Sequence, residues 1–397
     1  MSKAGTSDAE RGSTASGTCR RLVVGCMSGT SLDAIDAALV EVVGRGLGMR
    51  CRLLGTSSKP LGSLADRLRL LADGGAMRAS EVADVSHQFA LLHVDVIRSL
   101  VTKLTHLRVD LICVHGQTVF HAPPLSWQVL NPWPIVRALG SPVVFDLRGA
   151  DLAHGGQGAP ITPIADYLLL RDSCAGGPVA VVNLGGFANF TWLPRAGVSV
   201  EEGLTQVRGG DLCVCNQLLD RLARTRLGMA FDPNGTQALR GQIHADARDA
   251  LLLHLERTGT GRSLGSGDEA FGWLDTHAQG LQPVDACATA CDAIGAFLAA
   301  RLPDASVVAL AGGGARNLAL TGAIRRYLQR RSPTATLTDL DALGLSGASR
   351  EALEFGVLGA LCEDGVSISL PSITGVSSPA PLAGCWCRPT LSQETHR

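Results

Sequence analysis

Residues 21–42, RLVVGCMSGTSLDAIDAALVEV, decide how the chain folds. The apolar run 22–24 predicts a buried strand, and a turn of small residues, 25–31, follows it. The alternating apolar run 35–43 predicts a second strand that packs on the first. Because small side chains let a ligand come close to the backbone, the stretch predicts a strand–turn–strand unit with an approachable turn.

The turn carries groups that suit a nucleoside triphosphate with its metal ion. Successive N–H groups in such a turn bind anions, and Thr30 and Ser31 add hydroxyls. Asp33 and Asp36 add carboxylates that could hold Mg²⁺, directly or through its waters. Taken by itself, this stretch could also be an ordinary glycine–serine hairpin. The choice between the two interpretations depends on the rest of the sequence.

The composition indicates a globular protein with two domains. A chain of 397 residues exceeds the size at which a single hydrophobic core stops growing. A net charge of −1 and an aromatic content of 4% give no electrostatic or stacking case for nucleic acid. No uninterrupted apolar run approaches the ~20 residues of a membrane span. We therefore expect neither nucleic acid nor a membrane as a partner.

The cysteines favour a cytoplasmic protein. There are 12 of them, scattered along the chain, and nothing near the N-terminus has the apolar core of a secretory signal. Two Cys-x-Cys pairs, Cys213/Cys215 and Cys385/Cys387, lack a second pair at zinc-site spacing. We interpret all four as small core residues with reduced thiols.

Polar residues follow two further predicted strands in the first half. His115 and Gln117 come directly after one strand, and Arg148 and Asp151 follow the next, ahead of a glycine-rich turn at 155–160. Polar groups released at the ends of parallel strands line ligand crevices. An arginine among acids suits hydrogen bonding to sugar hydroxyls or to a carboxylate. Histidines that only satisfy the local backbone are the alternative.

The second half restarts the pattern of the first. A predicted strand at 179–182 leads to the turn glycines Gly185 and Gly186, and the chain returns as a strand over 187–191. Two such units predict related domains that face each other across a phosphate site, as in the actin/hexokinase-like ATPases. The P-loop sequence GxxxxGK[ST] does not occur. A glycine turn at 312–317 opens a helix and could accept an adenosine.

Asp211 precedes a predicted helix that begins at Gln217, inside the expected cleft. A carboxylate at that place could be a general base with Asn216 beside it, or it could be the N-cap of the helix. The local sequence favours neither role. A further helix is predicted over 236–257.

The run of motifs resembles the anhydro-N-acetylmuramic acid kinases of the actin/hexokinase-like superfamily. The matching stretches occur in the family's order and cover nearly all of residues 21–388. They are GCMSGTSLDAID, HGQTVFHAP, FDLRGADLAHGGQGAPITP, VVNLGGFANFT, DLCVCNQLLD, FDPNG, ACATAC, LAGGGARN, SREALEF and LPSITG.

The resemblance implies an α/β fold of two actin-like domains, each a mixed sheet flanked by helices, with a cleft for ATP and sugar between them. The domains are expected over residues 21–172 and 178–350, with the C-terminal segment 351–388 packing back on the first. Residues 1–20 are expected to form a disordered tail and residues 389–397 a flexible one. The resemblance leaves a homodimer open.

The implied activity is that of an ATP- and Mg²⁺-dependent kinase acting on a small amino sugar. It hydrolyses the anhydro bridge of 1,6-anhydro-N-acetylmuramic acid and phosphorylates the 6-hydroxyl, giving N-acetylmuramic acid 6-phosphate. Asp211 matches the family's base, and Asp33 and Asp36 would hold the metal. Substrate contacts are expected at His115, Gln117, Arg148, Asp151 and Asn216. The residues expected to bind ATP are Gly29, Thr30, Ser31, Leu32, Asp33, Ala34, Ile35, Asp36, Gly185, Gly186, Gly312, Gly313, Gly314 and Asn317.

The chain departs from the family's pattern at the base. The family motif reads Asp-Thr-Gly-Pro-Gly-Asn, whereas residues 211–216 read DLCVCN, so both glycines are cysteines. Ala34 replaces a glycine, Asn234 stands where an acid is usual, and the basic loop after Thr258 matches only through Arg262-Ser263-x-Gly265. Three alternatives therefore stay open: a nucleotide or sugar binder without this catalysis, a kinase of a different amino sugar, and an assembling ATPase of the actin type.

Overall fold

The structure is a computed structural model that describes residues 19–29, 31–104, 108–258, 271–377 and 380–390. Thr30 and the loop that contains Arg262, Ser263 and Gly265 lie outside these residues. The predicted tails also lie outside them, apart from their innermost residues. Arg20, expected in the N-terminal tail, is the first residue of the first strand.

Strands and helices alternate along most of the chain. The strands are β1 (Arg20–Met27), β2 (Ala34–Val43), β3 (Arg50–Pro60), β4 (Leu111–Val114), β5 (Gln117–Ala122), β6 (Leu125–Val129), β7 (Val143–Phe145), β8 (Val179–Leu184), β9 (Phe187–Leu193), β10 (Arg208–Val214), β11 (Val307–Ala311), β12 (Thr336–Asp339) and β13 (Cys385–Cys387). The helices are α1 (Leu64–Ala72), α2 (Ala79–Thr102), α3 (Trp133–Leu139), α4 (Gly149–Ala153), α5 (Pro163–Leu170), α6 (Val200–Gln206), α7 (Asn216–Leu222), α8 (Ala245–Thr258), α9 (Phe271–Trp273), α10 (Pro283–Arg301), α11 (Leu318–Arg331), α12 (Arg350–Glu363) and α13 (Pro371–Thr374).

The first sheet has the strand order β13–β7–β4–β1–β2–β3. β1 and β2 pair antiparallel, with Met27 opposite Asp36, so the predicted return strand is confirmed. β4 and β7 run parallel to β1, and β3 runs antiparallel to β2. The last strand, β13, pairs antiparallel with β7, so residues near the C-terminus complete the N-terminal sheet.

The second sheet repeats this topology, with the order β10–β9–β8–β11–β12. In each sheet three antiparallel strands come first in the chain, and two strands parallel to the first of them follow. The predicted α/β class, with two mixed sheets of related design, is therefore confirmed. β5 and β6 pair separately as a two-stranded ribbon between β4 and α3, which the sequence patterns did not indicate.

The sheets and helices form five layers with three apolar cores. The outer core of the first sheet is built on α1, α2 and α3 and contains Phe89. The core between the sheets contains residues of both, together with α5 and Phe355 of α12. The outer core of the second sheet is built on α7, α8, α10 and α11. Among the described helices α10 alone is long and apolar enough to cross a membrane, and 72% of it is buried inside the protein.

Helix α12 lies directly on β1, the strand that leads into the first turn. A Cβ atom at Gly25 would lie 2.0 Å from the carbonyl oxygen of Ala352 and 2.2 Å from the nitrogen of Gly356. Real Cβ atoms do not approach backbone this closely, so only glycine permits the contact. α12 is also tied to α5 by a buried, bidentate ion pair between Arg350 and Asp166.

Two predictions about local structure are wrong. The helix expected over 236–257 begins only at Ala245, because the chain is extended at Gly241, where a Cβ would lie 2.1 Å from the Val284 carbonyl oxygen. Cys385, expected in the core, is exposed on the edge strand β13, whereas the other three cysteines of the Cys-x-Cys pairs are buried.

Candidate active site

Asp211 lies inside strand β10 and not at the start of a helix. The register between β10 and β9 shifts between Asp211 and Cys213, and such a bulge re-aims the side chains beside it. Helix α7 begins five residues later, with Cys215 as its N-cap. The capping role that the sequence left open for Asp211 is therefore wrong. The half-buried Asp211 side chain is held on a strand of the second sheet.

The residues that replace the family's Thr-Gly-Pro-Gly sequence point their side chains into the protein. Leu212, Cys213 and Cys215 all belong to the outer core of the second sheet. Burial raises the pKa of the Cys215 thiol well above its ordinary value, so the thiol stays protonated.

Arg148 follows β7 of the first sheet, and hydrogen bonds hold its guanidinium in place. Nη1 donates a hydrogen bond to the carbonyl oxygen of Gly158 at 2.7 Å, and Nε and Nη2 lie 3.3 and 3.2 Å from His115 Nε2. Burial lowers the pKa of Arg148, while nearby carboxylates raise it, with Asp211 the strongest and Glu351 next. Groups from the two halves of the molecule therefore interact at this point.

Glu351, in the first turn of α12, is a site residue that the sequence analysis missed. Burial raises the pKa of Glu351; Arg350 and Arg148 lower it, and the charge of Asp36 raises it further. Glu351 thus shares one electrostatic environment with the first turn and with Arg148. The only sequence signal was its place in the quoted stretch SREALEF, and acidic residues are common in the first turn of any helix.

The first turn is fastened to Gln117, the first residue of β5. The Ser28 hydroxyl donates to Gln117 Oε1 at 2.8 Å, and Gln117 Nε2 donates to the carbonyl oxygen of Gly29 at 3.4 Å. Leu32 has φ 57°, a left-handed conformation that a branched side chain rarely adopts. Strained backbone of this kind is typical of ligand-binding turns.

Asp33 lies close enough to the second half of the molecule for its charge to act on an acid there. Burial raises the pKa of Asp220 on α7, Arg224 lowers it, and the negative charge of Asp33 raises it. Asp33 is exposed and Asp36 is half-buried. No three histidine, cysteine or acidic side chains within the described ranges form a metal-binding group. Two carboxylates without a third ligand fit Mg²⁺ bound together with a triphosphate, because Mg²⁺ takes few protein ligands.

The glycine loops of the second half pack against each other. Asn216 Nδ2 donates to the carbonyl oxygen of Leu184 at 2.9 Å, and the Asn216 N–H donates to the carbonyl oxygen of Gly185 at 3.0 Å. A Cβ at Gly312, whose φ is 80°, would lie 2.6 Å from Asn183 Oδ1. The loop at 312–314 and the turn at 185–186 therefore form one surface, and Asn216 lies between them and contacts both.

Protein contacts do not explain every glycine of these loops. The nearest protein atom to a Cβ added at Gly313 would be 3.7 Å away, and at Gly29 it would be 3.8 Å away. Asn317 has a structural role, since its Oδ1 accepts hydrogen bonds from the N–H groups of Ala319 and Leu320 at 3.1 Å and so caps α11.

Three residues expected to contact the substrate are buried. The exposed fractions are 4% for His115, 1% for Gln117 and 0% for Asp151. Asp151 Oδ2 accepts from the Gly158 N–H, and Oδ1 accepts from the Thr374 hydroxyl, both at 2.7 Å. A fully buried carboxylate with both oxygens engaged has no surface for a sugar, so Asp151 instead holds the glycine-rich turn in place.

Comparison with known proteins gives a consistent result. A family model described as anhydro-N-acetylmuramic acid kinase matches residues 21–387. A relative of that name from Synechococcus elongatus is 34% identical over 392 residues, covering 92% of this chain and 99% of the relative. Another, from Gloeobacter violaceus, is 35% identical, covering 91% of this chain and 97% of the relative. Among solved structures, a ROK family glucokinase from Streptomyces griseus has a TM-score of 0.38 at 19% identity, covering 85% and 99% of the two chains.

Proposed function

The chain belongs to the anhydro-N-acetylmuramic acid kinase family, and from this premise we propose the reaction that its site carries out. The protein is a kinase, a phosphotransferase that uses ATP and an alcohol group of a sugar as acceptor. Its sugar is 1,6-anhydro-N-acetylmuramic acid, and its products are N-acetylmuramic acid 6-phosphate and ADP. We place the reaction in the cytoplasm, where the free thiols of this chain persist.

Asp211 is the general base of this reaction. It takes a proton from a water molecule as the water oxygen bonds to the anomeric carbon and the bond between that carbon and O6 breaks. O6 then bonds to the γ-phosphorus of ATP, ADP leaves, and the proton passes from Asp211 to solvent. Attack opposite the departing oxygen is inverting glycosidic chemistry, and the phosphoryl transfer depends chiefly on positioning.

One observation carries this proposal: Asp211 of the second sheet interacts with Arg148, which follows a strand of the first. A carboxylate beside a half-buried cation, at a junction of two domains, is the arrangement expected of a catalytic base. Glu351 stands in the same environment. The cysteines of the base loop leave this arrangement in place because their side chains lie in the core.

ATP would lie between the first turn and the glycine loops of the second half. Gly29 and Gly313 support this placement, because among the described residues no close protein contact accounts for a glycine at either position. Asp33 and Asp36 would hold Mg²⁺, which neutralises phosphate charge when it is bound. Thr30 remains an expected ATP contact, although it lies outside the described residues.

The test is ADP release from ATP and Mg²⁺ with and without 1,6-anhydro-N-acetylmuramic acid. We expect sugar-dependent release that falls at least about 100-fold in Asp211→Asn, since general base catalysis contributes that much. Asp66→Asn, at an exposed α1 residue whose side chain is 85% accessible, should retain full activity. Release that needs no sugar, or an Asp211→Asn variant as active as Asp66→Asn, would refute the proposal. A different amino sugar that supports turnover where this one does not would favour the drifted-substrate alternative.

A further inference from the structure

We propose that His115 is a positioning residue: it holds the Arg148 guanidinium in the cleft through the lone pair of its Nε2 atom and does not touch the sugar. The inference rests on the proposed function, in which Arg148 acts beside Asp211. It changes the role that the sequence suggested for His115, which was a substrate contact.

The hydrogen bonds around His115 define its tautomer. Three N–H donors converge on Nε2: Arg148 Nε at 3.3 Å, Arg148 Nη2 at 3.2 Å and Gln128 Nε2 at 2.8 Å. A guanidinium can only donate, so Nε2 must be an unprotonated acceptor and the proton of the neutral ring must be on Nδ1. Burial lowers the pKa of His115 well below its ordinary value, and the charges of Arg148 and His93 lower it further, which keeps the ring neutral.

The imidazole cannot exchange protons with a substrate. Its only lone pair already serves Arg148 and Gln128, and its exposed fraction is 4%. Nδ1 is buried and has no hydrogen-bond partner in the part of the chain that the structure describes. The ring packs edge-to-face against Phe355 of α12, with ring centroids 4.9 Å apart. His115 is thus a rigid acceptor, fixed between the end of β4 and α12.

The neutrality of His115 matters because a neutral acceptor does not compensate the positive charge of Arg148. All of the hydrogen bonds described for the guanidinium go to neutral acceptors, namely His115 Nε2 and the carbonyl oxygen of Gly158. No described residue forms an ion pair with it within 4.0 Å. These neutral acceptors orient the side chain without compensating its charge, and that charge acts on Asp211.

Two replacements of similar size separate this role from simple packing. Gln at position 115 can place an amide oxygen near the position of Nε2, whereas Leu fills space without an acceptor. We expect His115→Leu to lower kcat/KM for the anhydro sugar by about 10- to 100-fold, as for loss of a hydrogen bond to a charged group. His115→Gln should recover most of that loss. Both proteins should melt cooperatively and bind ATP like the wild type.

A double variant tests whether His115 acts through Arg148. If it does, His115→Leu in an Arg148→Gln background should cost no further activity, because the group being positioned is already gone. Losses that multiply in the double variant would overturn the proposal. So would a folded His115→Gln protein as impaired as His115→Leu.

A spectroscopic measurement tests the role of His115 even if the kinase assay shows no activity. In protein labelled with ¹⁵N-histidine, NMR should show His115 protonated on Nδ1 and unprotonated on Nε2 from pH 5 to pH 8. The Nε2 signal should shift in Arg148→Gln. A protonated Nε2, or an Nε2 signal indifferent to Arg148, would refute the assignment. Absence of sugar-dependent ADP release in the wild type would refute the proposed function alone.

Discussion

His93 lies in α2 with no exposed surface, and its Nδ1 is 2.8 Å from the Phe89 carbonyl oxygen. Burial lowers the pKa of His93 to about 4. The unfolded chain, with a histidine pKa of about 6.5, binds more protons between these two values, so stability is lost as the pH falls through this window. We expect His93 to contribute a decrease of up to about 3 kcal/mol in the free energy of unfolding between pH 6.5 and pH 4.

Urea unfolding at pH 7 and at pH 4.5 checks this prediction. His93→Leu should lose less stability on acidification than the wild type does. The matched control is His154→Leu, because His154 also lies near the carbonyl oxygen four residues earlier, at 2.9 Å, but is exposed. Equal pH dependence in all three proteins would contradict the expectation.

Asp151 offers a second prediction at the scale of single residues. Asp151→Ala leaves both the Gly158 N–H and the Thr374 hydroxyl without their acceptor, whereas Thr374→Val removes only one of the two hydrogen bonds. We expect a loss of about 3 kcal/mol for Asp151→Ala and about 1 kcal/mol for Thr374→Val in chemical denaturation. Asp151→Ala should also raise the KM for the sugar, since the glycine-rich turn binds Arg148. Equal destabilisation of the two variants would show that the carboxylate does not organise the turn.

Residue types near the cleft were easier to predict than residue roles. The clustering of His115, Gln117, Arg148 and Asp151 after strand ends follows from sheet geometry. The structure joins Arg148 to His115, and it joins both Arg148 and Asp151 to Gly158. Which of them face solvent depends on neighbours far away in sequence, such as Thr374 behind Asp151. Glu351 was missed for the same reason, because its environment is created by tertiary packing.

At the scale of elements, the contact between α12 and β1 makes a sharp prediction. Gly25→Ala would place a Cβ 2.0 Å from a backbone oxygen of α12, and no side-chain rearrangement relieves that overlap. We expect the variant to be insoluble, or destabilised by more than about 3 kcal/mol, as for severe overpacking. Gly48→Ala is the control, since no atom of the described residues outside its own turn lies within 4 Å of the added Cβ. The stability of this variant should change by less than about 1 kcal/mol. Similar melting temperatures for the two variants would exclude the close contact.

Strands were predicted well because burial on one or both faces leaves a plain apolar pattern, as in β1, β2, β8 and β9. Other features needed information that a local pattern lacks. Helical composition continues through 236–244, but the chain is extended at Gly241 and packs so close to the backbone of Val284 that a Cβ there would overlap it. Asp211 has the sequence context of a cap, yet pairing with β9 places it in a strand.

At the scale of the whole molecule, one buried charge cluster lies between the two sheets. Arg350 of α12 forms a bidentate ion pair with Asp166 of α5, and Glu354 Oε1 lies 2.6 Å from Arg350 Nε. Arg350→Met should destabilise the protein by about 3–5 kcal/mol, because it leaves a buried carboxylate without a cation. Burial raises the pKa of Glu354 well above its ordinary value, so Glu354→Gln should change stability by only about 1 kcal/mol.

The same cluster gives a pH dependence of opposite sign to that of His93. Glu354 binds its proton more tightly in the folded state than in the unfolded chain, so its contribution to stability falls as the pH rises above the ordinary glutamate value. Between about pH 6.5 and pH 8, where His93 adds no slope, the free energy of unfolding should therefore fall less with rising pH for Glu354→Gln than for the wild type. Identical curves would mean that Glu354 is ionised in the folded protein.

The return of α12 and β13 to the first sheet constrains how this protein can fold during its synthesis on the ribosome. Arg21 in the first strand binds Glu363, which is translated 342 codons later. Until then the nascent N-terminal half exposes the face of β1 that α12 will cover, together with the open edge of β7. Domains usually fold in the order of their synthesis, but here the earlier one has to wait for nearly the last residues to emerge. Premature termination anywhere before α12 would thus leave the first domain incomplete, and the unfinished chain needs shielding throughout its elongation.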